Sequence, residues 1–311
     1  MNAALIGSVS SSEHALRGLL RGGVEVTCVA GLDERHSAGV SDYRSLRGLA
    51  ASGGLAYLSF AQVSEERVSK FLGSHRPDLL FVIGLSQMVP GKVRSLARVD
   101  SVGFHPTALP RGRGRAPVAW TILLGEPAAA NLFFLTDEPD AGDLIEQWPV
   151  EVLPDDYAQD LIDRTNGALE QMVVDLSPRI IRGDLPRRRQ DDSKATYYAK
   201  RTPADGLITW SQSAEAVYRL IRAVSHPYPG AFTFSRGRKL LAWRARRPES
   251  GGGEKPGTIL SADGSGLMVQ TGGGRIRLPE MEWASTGEAV QVDHFEVGEV
   301  LGRSDEAGRG R

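Results

Sequence analysis

Short apolar runs alternate with amphipathic stretches through the first 180 residues of the chain. Ala3–Gly7 is apolar and has the length of a buried strand. Ser10 to Glu13 then has the spacing of a capping box, in which Ser10 accepts from the N–H of Glu13 and Glu13 reaches back. Ala15, Leu16, Leu19 and Leu20 recur at helical spacing, and Gly22-Gly23 predict the end of that helix. Residues 24–30, Leu79–Ile83, 102–104, 132–135 and Leu144–Val150 predict further strands. After Pro154, with Asp155 or Asp156 as the cap, a helix carries Tyr157, Leu161, Ile162, Leu169, Met172, Val173 and Leu176 on one face. Strands apolar on both faces with helices between them predict an α/β fold with a Rossmann-like, mainly parallel sheet covered by helices on both faces. Ligands of such sheets lie at the carboxyl ends of strands, and the strand over 102–104 ends at His105.

The second half changes character. Residues 183–205 are polar and irregular, with Arg187-Arg188-Arg189-Gln190-Asp191-Asp192, and read as a linker. A helix is predicted over 213–224. Short alternating runs at 231–234, 239–243, 258–260, 267–269 and 275–278, parted by glycine-rich turns, predict a smaller OB-like β-barrel. The expected organisation is an α/β domain over 1–182, a linker over 183–205, a barrel-like domain over 206–302 and a flexible polar tail over 303–311.

Composition narrows the function. The net charge of −1 argues against a protein that grips nucleic acid through phosphates, which needs a basic excess. The lone cysteine, Cys28, excludes an internal disulfide and a zinc site built on several cysteines. No apolar run is long enough to span a membrane, and the N-terminus lacks the basic and apolar regions of a signal peptide, so a cytoplasmic protein is expected. Gly7-Ser8-Val9-Ser10 is not G-x-G-x-x-G, so a dinucleotide site has no support.

The chemistry concentrates in Gly103-Phe104-His105-Pro106-Thr107-Ala108-Leu109-Pro110-Arg111-Gly112-Arg113-Gly114 and in Asp140-Ala141-Gly142-Asp143. A histidine at a strand end, a loop punctuated by Pro and Gly, and a paired-carboxylate turn suit acid–base work at one site. The pattern resembles the 10-formyltetrahydrofolate-dependent formyltransferase family, whose members carry N-x-H-P/G-S-x-L-P-x-x-R-G followed by D-x-G-D. Tyr197-Tyr198-Ala199-Lys200-Arg201 with Asp205 to Trp210, and Pro227 to Phe232, are similar to segments of that family's C-terminal domain.

The resemblance implies formyl transfer from 10-formyltetrahydrofolate to a primary amine, with catalysis in 1–182 and no metal. His105 would be the base and Asp140 its partner, fixing the imidazole tautomer, while Asp143 satisfies the turn. Gly103 stands where the family has the asparagine that donates to the formyl oxygen. Another donor or a water replaces that asparagine, or the chemistry differs, or the enzyme is impaired. Ser86, Gln87 and Met88, together with Leu135, Thr136, Asp137 and Asp140, are the expected folate-binding residues. Arg113, Arg115 and Arg201 are candidates for an anionic part of the acceptor, although the Arg113-Gly114 turn reads equally well as structural. Among acceptors a nucleotide-linked amino sugar ranks first, a small biosynthetic amine second and methionyl-tRNA third. The rivals are a formyltetrahydrofolate hydrolase and a non-catalytic folate-binding protein.

Overall fold

The computed structural model of the protein describes residues 1–302; the tail expected at 303–311 lies outside the described residues. In chain order the elements are β1 (Ala3–Gly7), α1 (Ser10–Arg21), β2 (Val26–Leu32), α2 (Arg47–Ser52), β3 (Ala56–Phe60), α3 (Glu66–His75), β4 (Leu79–Ile83), α4 (Gly91–Arg94) and β5 (Asp100–His105). There follow β6 (Arg113–Gly114), α5 (Pro117–Leu124), β7 (Ala128–Phe134), β8 (Leu144–Val150), α6 (Ala158–Arg182), β9 (Tyr197–Tyr198) and α7 (Ala214–Val224). The remainder is β10 (Ala231–Ser235), β11 (Arg238–Arg244), β12 (Ile259–Asp263), β13 (Gly266–Gln270), β14 (Arg275–Leu278), β15 (Glu280–Trp283) and β16 (Glu288–Ala289). The chain divides into two compact units. One comprises Met1–Pro117, Pro127–Val152 and Ile162–Ala199; the other comprises Val118–Glu126, Leu153–Leu161 and the chain from Lys200.

The first unit is built on a seven-stranded sheet of order β3-β2-β1-β4-β5-β7-β8. β5 with β7 and β7 with β8 are antiparallel; the other neighbours are parallel. The order reverses at β1, so right-handed crossovers send the helices on either side of the reversal to opposite faces. On one face Ala4, Ile6, Cys28, Ala30 and Leu80 pack with Val68 and Leu72 of α3 and Val93 of α4. The capping of α1 differs from the expected box. The helix starts at Ser10, and Ser12 Oγ accepts the N–H groups of Ser8 (2.9 Å) and Val9 (3.2 Å) while donating to Ile83 O (2.6 Å). The end of β4 brings that third partner, which local sequence does not reveal. Ahead of α6, Asp160 takes the N–H of Tyr157 (2.8 Å).

Residues 183–199 group with the first unit. Arg188 and Leu144 exchange both backbone hydrogen bonds (2.8 and 2.9 Å), and β9 pairs in parallel with β6. The second unit carries two antiparallel sheets, β10-β11-β15-β16 and β12-β13-β14, with α7 capped by Ser213. Trp210 is fixed in its core by a hydrogen bond from Nε1 to Thr233 Oγ1 (2.9 Å). Among the described residues no helix is long and apolar enough to cross a membrane.

Candidate active site

His105 closes β5 opposite Asn131 of β7. The run 128–134 is otherwise apolar and fully buried, and the Asn131 amide is spent inside it. Its Nδ2 donates to the carbonyls of His105 (2.6 Å) and Thr107, and its Oδ1 accepts from Gln147 Nε2 (2.6 Å), which also reaches Leu109 O (2.9 Å). These two carboxamides hold the backbone of the loop that follows β5. Within that loop Thr107 Oγ1 donates to Arg111 O (2.8 Å), and the chain turns so that Gly112 O lies 2.8 Å from His105 Nε2.

A carbonyl only accepts, so Nε2 carries the hydrogen and the neutral ring keeps its lone pair on Nδ1. Nδ1 faces Asp140 Oδ2 at 3.5 Å. The Gly112 carbonyl thus meets one ring nitrogen and Asp140 lies beside the other. Asp140 Oδ2 itself accepts the N–H of Gly114 at 2.8 Å. Nδ1 and the carboxylate thus face each other across a gap that no hydrogen bond closes. Asp140 sits at φ +56° in the left-handed region, which few non-glycine residues adopt. The turn tolerates only glycine two residues on: a Cβ at Gly142 would meet Phe134 O at 1.7 Å. Asp143 closes the turn through its carbonyl, which accepts from Phe134 N (2.9 Å).

Gly103 lies on the same strand as His105, and the space a side chain would need there is filled. A Cβ would stand 2.7 Å from Leu135 Cδ2 and 2.9 Å from Phe133 Cζ. Leu109, Phe133 and Leu144 form an apolar cluster with Leu135. Asn131 does not take over as the donor to a formyl oxygen, because its amide hydrogens already go to backbone carbonyls and the residue is fully buried.

The other sequence candidates divide. Ser86 and Met88 are exposed in the loop after β4, at the carboxyl edge beside β5. Gln87 is committed elsewhere: its Oε1 accepts from Val63 N (2.7 Å) and its Nε2 donates to Ala61 O (2.8 Å). Leu135, Thr136 and Asp137 leave β7 at the amino end of β5, where Leu135 N donates to Ser101 O (2.8 Å), and Asp137 pairs with Arg94. Leu135 and Thr136 line a cleft of about 410 Å³ with Ala141, Gly142, Asp143 and Arg187, which none of Ser86, Gln87, Met88 or His105 lines. Asp140, the last of the expected folate set, lies beside His105.

Arg113 is a correction to the anion-binding candidates. It is 1% exposed, and its guanidinium donates to Gln190 Oε1 (3.0 and 3.3 Å), Asp192 (2.7 Å) and Tyr197 Oη (3.1 Å). Burial works against its charge, but the bonds to Asp192 and Tyr197 outweigh it and hold the pKa above the usual arginine value. A fork so occupied serves the fold. Arg115 is exposed, and its backbone N–H donates to Tyr198 O (3.2 Å). Arg201, in the second unit, lies 4.9 Å over the Trp120 ring and donates to Asp205 O (2.8 Å); burial lowers its pKa. Asn131, Gln147, Thr196 and Gln190 escape the sequence reading. Only Asn131 leaves a trace there, as one amide inside an apolar strand.

A histidine–carboxylate pair at the rim of a doubly wound sheet, followed by a small antiparallel β unit, defines an α/β protein equipped for acid–base chemistry. The chain belongs to the formyl transferase family: the formyl transferase model matches residues 33–176, and the formyl transferase C-terminal domain model matches 200–295. Its fold is similar to that of HypX from Aquifex aeolicus in complex with tetrahydrofolic acid, at TM-score 0.67 and 19% identity, covering 94% of this chain and 46% of that one. The chain thus spans less than half the length of HypX. A sugar N-formyltransferase from a Shewanella species matches at TM-score 0.61 and 16% identity, covering 78% of this chain and 96% of that one. Methionyl-tRNA formyltransferase from Clostridium thermocellum gives TM-score 0.57 and 16% identity over 79% of this chain and 94% of that one.

Proposed function

We propose that the protein transfers a formyl group from 10-formyltetrahydrofolate to a primary amine, and that the acceptor is an amino sugar carried on a nucleotide. The observation that carries the reading is the imidazole of His105, anchored through Nε2 on Gly112 O with Nδ1 turned towards Asp140. The HypX relative is solved with tetrahydrofolic acid and the Shewanella relative is a sugar N-formyltransferase, and both support it. The donor supplies a formyl carbon bonded to a nitrogen that leaves with a proton. Ser86 and Met88, exposed at the carboxyl edge, would hold it, while Gln87 and Asp137 shape the surrounding loops. His105 Nδ1 takes the proton of the attacking amine as the new C–N bond forms, and Asp140 favours the resulting imidazolium. The imidazolium returns that proton to the departing folate nitrogen as the old C–N bond breaks. Exposed Arg115 can meet an acceptor phosphate, and the near-neutral chain supports a small acceptor over methionyl-tRNA.

A second reading, folate binding without transfer to an amine, is favoured by one observation: apolar Leu135 and Phe133 stand where the family's amide donor would be. Incubation with 10-formyltetrahydrofolate and a panel of amines, following tetrahydrofolate and formate separately, decides between them. Tetrahydrofolate release that needs an amine supports transfer. Stoichiometric formate without an amine makes the protein a hydrolase, and folate binding with neither product makes it a binding protein.

A further inference from the structure

We infer that Gln190 is a positioning residue that holds the Asp140 carboxylate in register with the His105 imidazole. The inference rests on the proposed reaction for its kinetic consequence and on geometry for the rest. Gln190 is 5% exposed, and every polar group of its side chain is used. Nε2 donates to Asp140 O (2.8 Å) and to Gly142 O (2.7 Å), the carbonyls on either side of Ala141. Oε1 accepts from Nη2 (3.0 Å) and Nε (3.3 Å) of Arg113.

Three further observations give these bonds their meaning. Asp140 occupies a left-handed backbone conformation, which persists only where the surroundings over-determine it. Gln190 supplies that constraint from outside the turn. Arg113, which Gln190 grips, lies between Gly112, whose carbonyl anchors His105 Nε2, and Gly114, whose N–H holds Asp140 Oδ2. A single carboxamide therefore ties together the segments that orient the base and its carboxylate. Gln190 is itself held on both sides. Arg188 pairs with Leu144, and Thr196 accepts from Gly112 N through Oγ1 (2.9 Å) and from Arg113 N through its carbonyl (2.9 Å). Residues 188–198 form a clasp whose one buried amide points at the turn.

The test is a double-mutant cycle with Gln190→Met, Asp140→Asn and the pair, with amide hydrogen exchange at Gly114 measured in each. If Gln190 acts through Asp140, Gln190→Met lowers kcat about 10- to 100-fold while donor KM stays within about threefold. Added to Asp140→Asn it then lowers kcat by less than about threefold more, because the group being positioned is already gone. Gly114 exchange quickens at least about tenfold in Gln190→Met, while amides of β1 and β4 keep their protection. Losses of kcat that multiply in the cycle, or Gly114 exchange unchanged in Gln190→Met, overturn the inference. If the native protein transfers no formyl group to any amine, the proposed reaction fails by itself, and Gly114 exchange alone decides the positioning. Should Gln190→Met not fold, Gln190→Glu replaces the two donors with a carboxylate oxygen that repels the Asp140 and Gly142 carbonyls, keeps an acceptor for Arg113, and carries the same measurements.

Discussion

Replacing Gly103 by asparagine would restore the residue that the family motif carries and test whether its absence is a defect or an adaptation. The backbone raises no objection, since Gly103 lies within β5. The side chain does: its Cβ meets Leu135 Cδ2 at 2.7 Å and Phe133 Cζ at 2.9 Å. Leu135 is partly exposed and can swing its methyl away. Phe133 is buried and cannot move without disturbing Leu109 and Leu144. Overpacking of this kind costs about 1–3 kcal/mol. At about 2 kcal/mol the melting temperature of a unit this size falls by roughly 4–8 °C. Gly103→Ala, which adds the Cβ without the amide, should lose a large part of this. Thermal unfolding and steady-state formyl transfer are measured on the same preparations. Gly103→Asn should show lowered stability and no gain in turnover, because the amide cannot settle where the apolar cluster sits. Combining it with Leu135→Ala opens room, and only then should the donor act, with a gain of up to roughly 10²–10³. A single Gly103→Asn exchange that raises turnover at an unchanged melting temperature would refute the reasoning.

Other outcomes follow from the same geometry. His105→Ala should abolish transfer and leave tetrahydrofolate affinity within about threefold, because the ring acts mainly in the transition state; parallel losses of affinity and rate would make it a binding residue. Asn131→Leu should leave the His105 and Thr107 carbonyls without their buried donor and cost about 2–4 kcal/mol by urea unfolding; an unchanged midpoint would show the loop is held otherwise. Burial pushes the Cys28 thiol up to about 11 from 9.0, so the folded chain keeps it protonated while the unfolded chain ionises. Its contribution is full below pH 9.0 and is lost as pH rises towards 11, roughly 2–3 kcal/mol in total. The stability difference between the native protein and Cys28→Ala should therefore shrink over that window, and a pH-independent difference would contradict the assignment.

The sequence by itself determined the apolar strands, the helices between them and the arrival of His105 at a strand end. Burial on both faces demands continuous apolar runs, and a helix needs its own period, so both are written locally. β1 and β4 coincide with their runs, and α7 starts beside the serine that caps it. Strand ends are less legible. β2 runs on to Leu32 and β7 starts at Ala128, because pairing with neighbours decides where a strand stops. What only the tertiary structure decided is the partner of each polar group. Arg113 in a glycine-rich turn looks ready for an anion until Gln190, Asp192 and Tyr197 arrive from about eighty residues away. Residues 183–199 look like a linker because their order comes from pairing with Leu144 and β6 rather than from any period of their own. Gly103 reads as a missing donor, and only packing shows Leu135 and Phe133 filling its place. Hydrophobic pattern records how deep a residue lies, whereas hydrogen-bond partners depend on which distant segments the folded chain brings together.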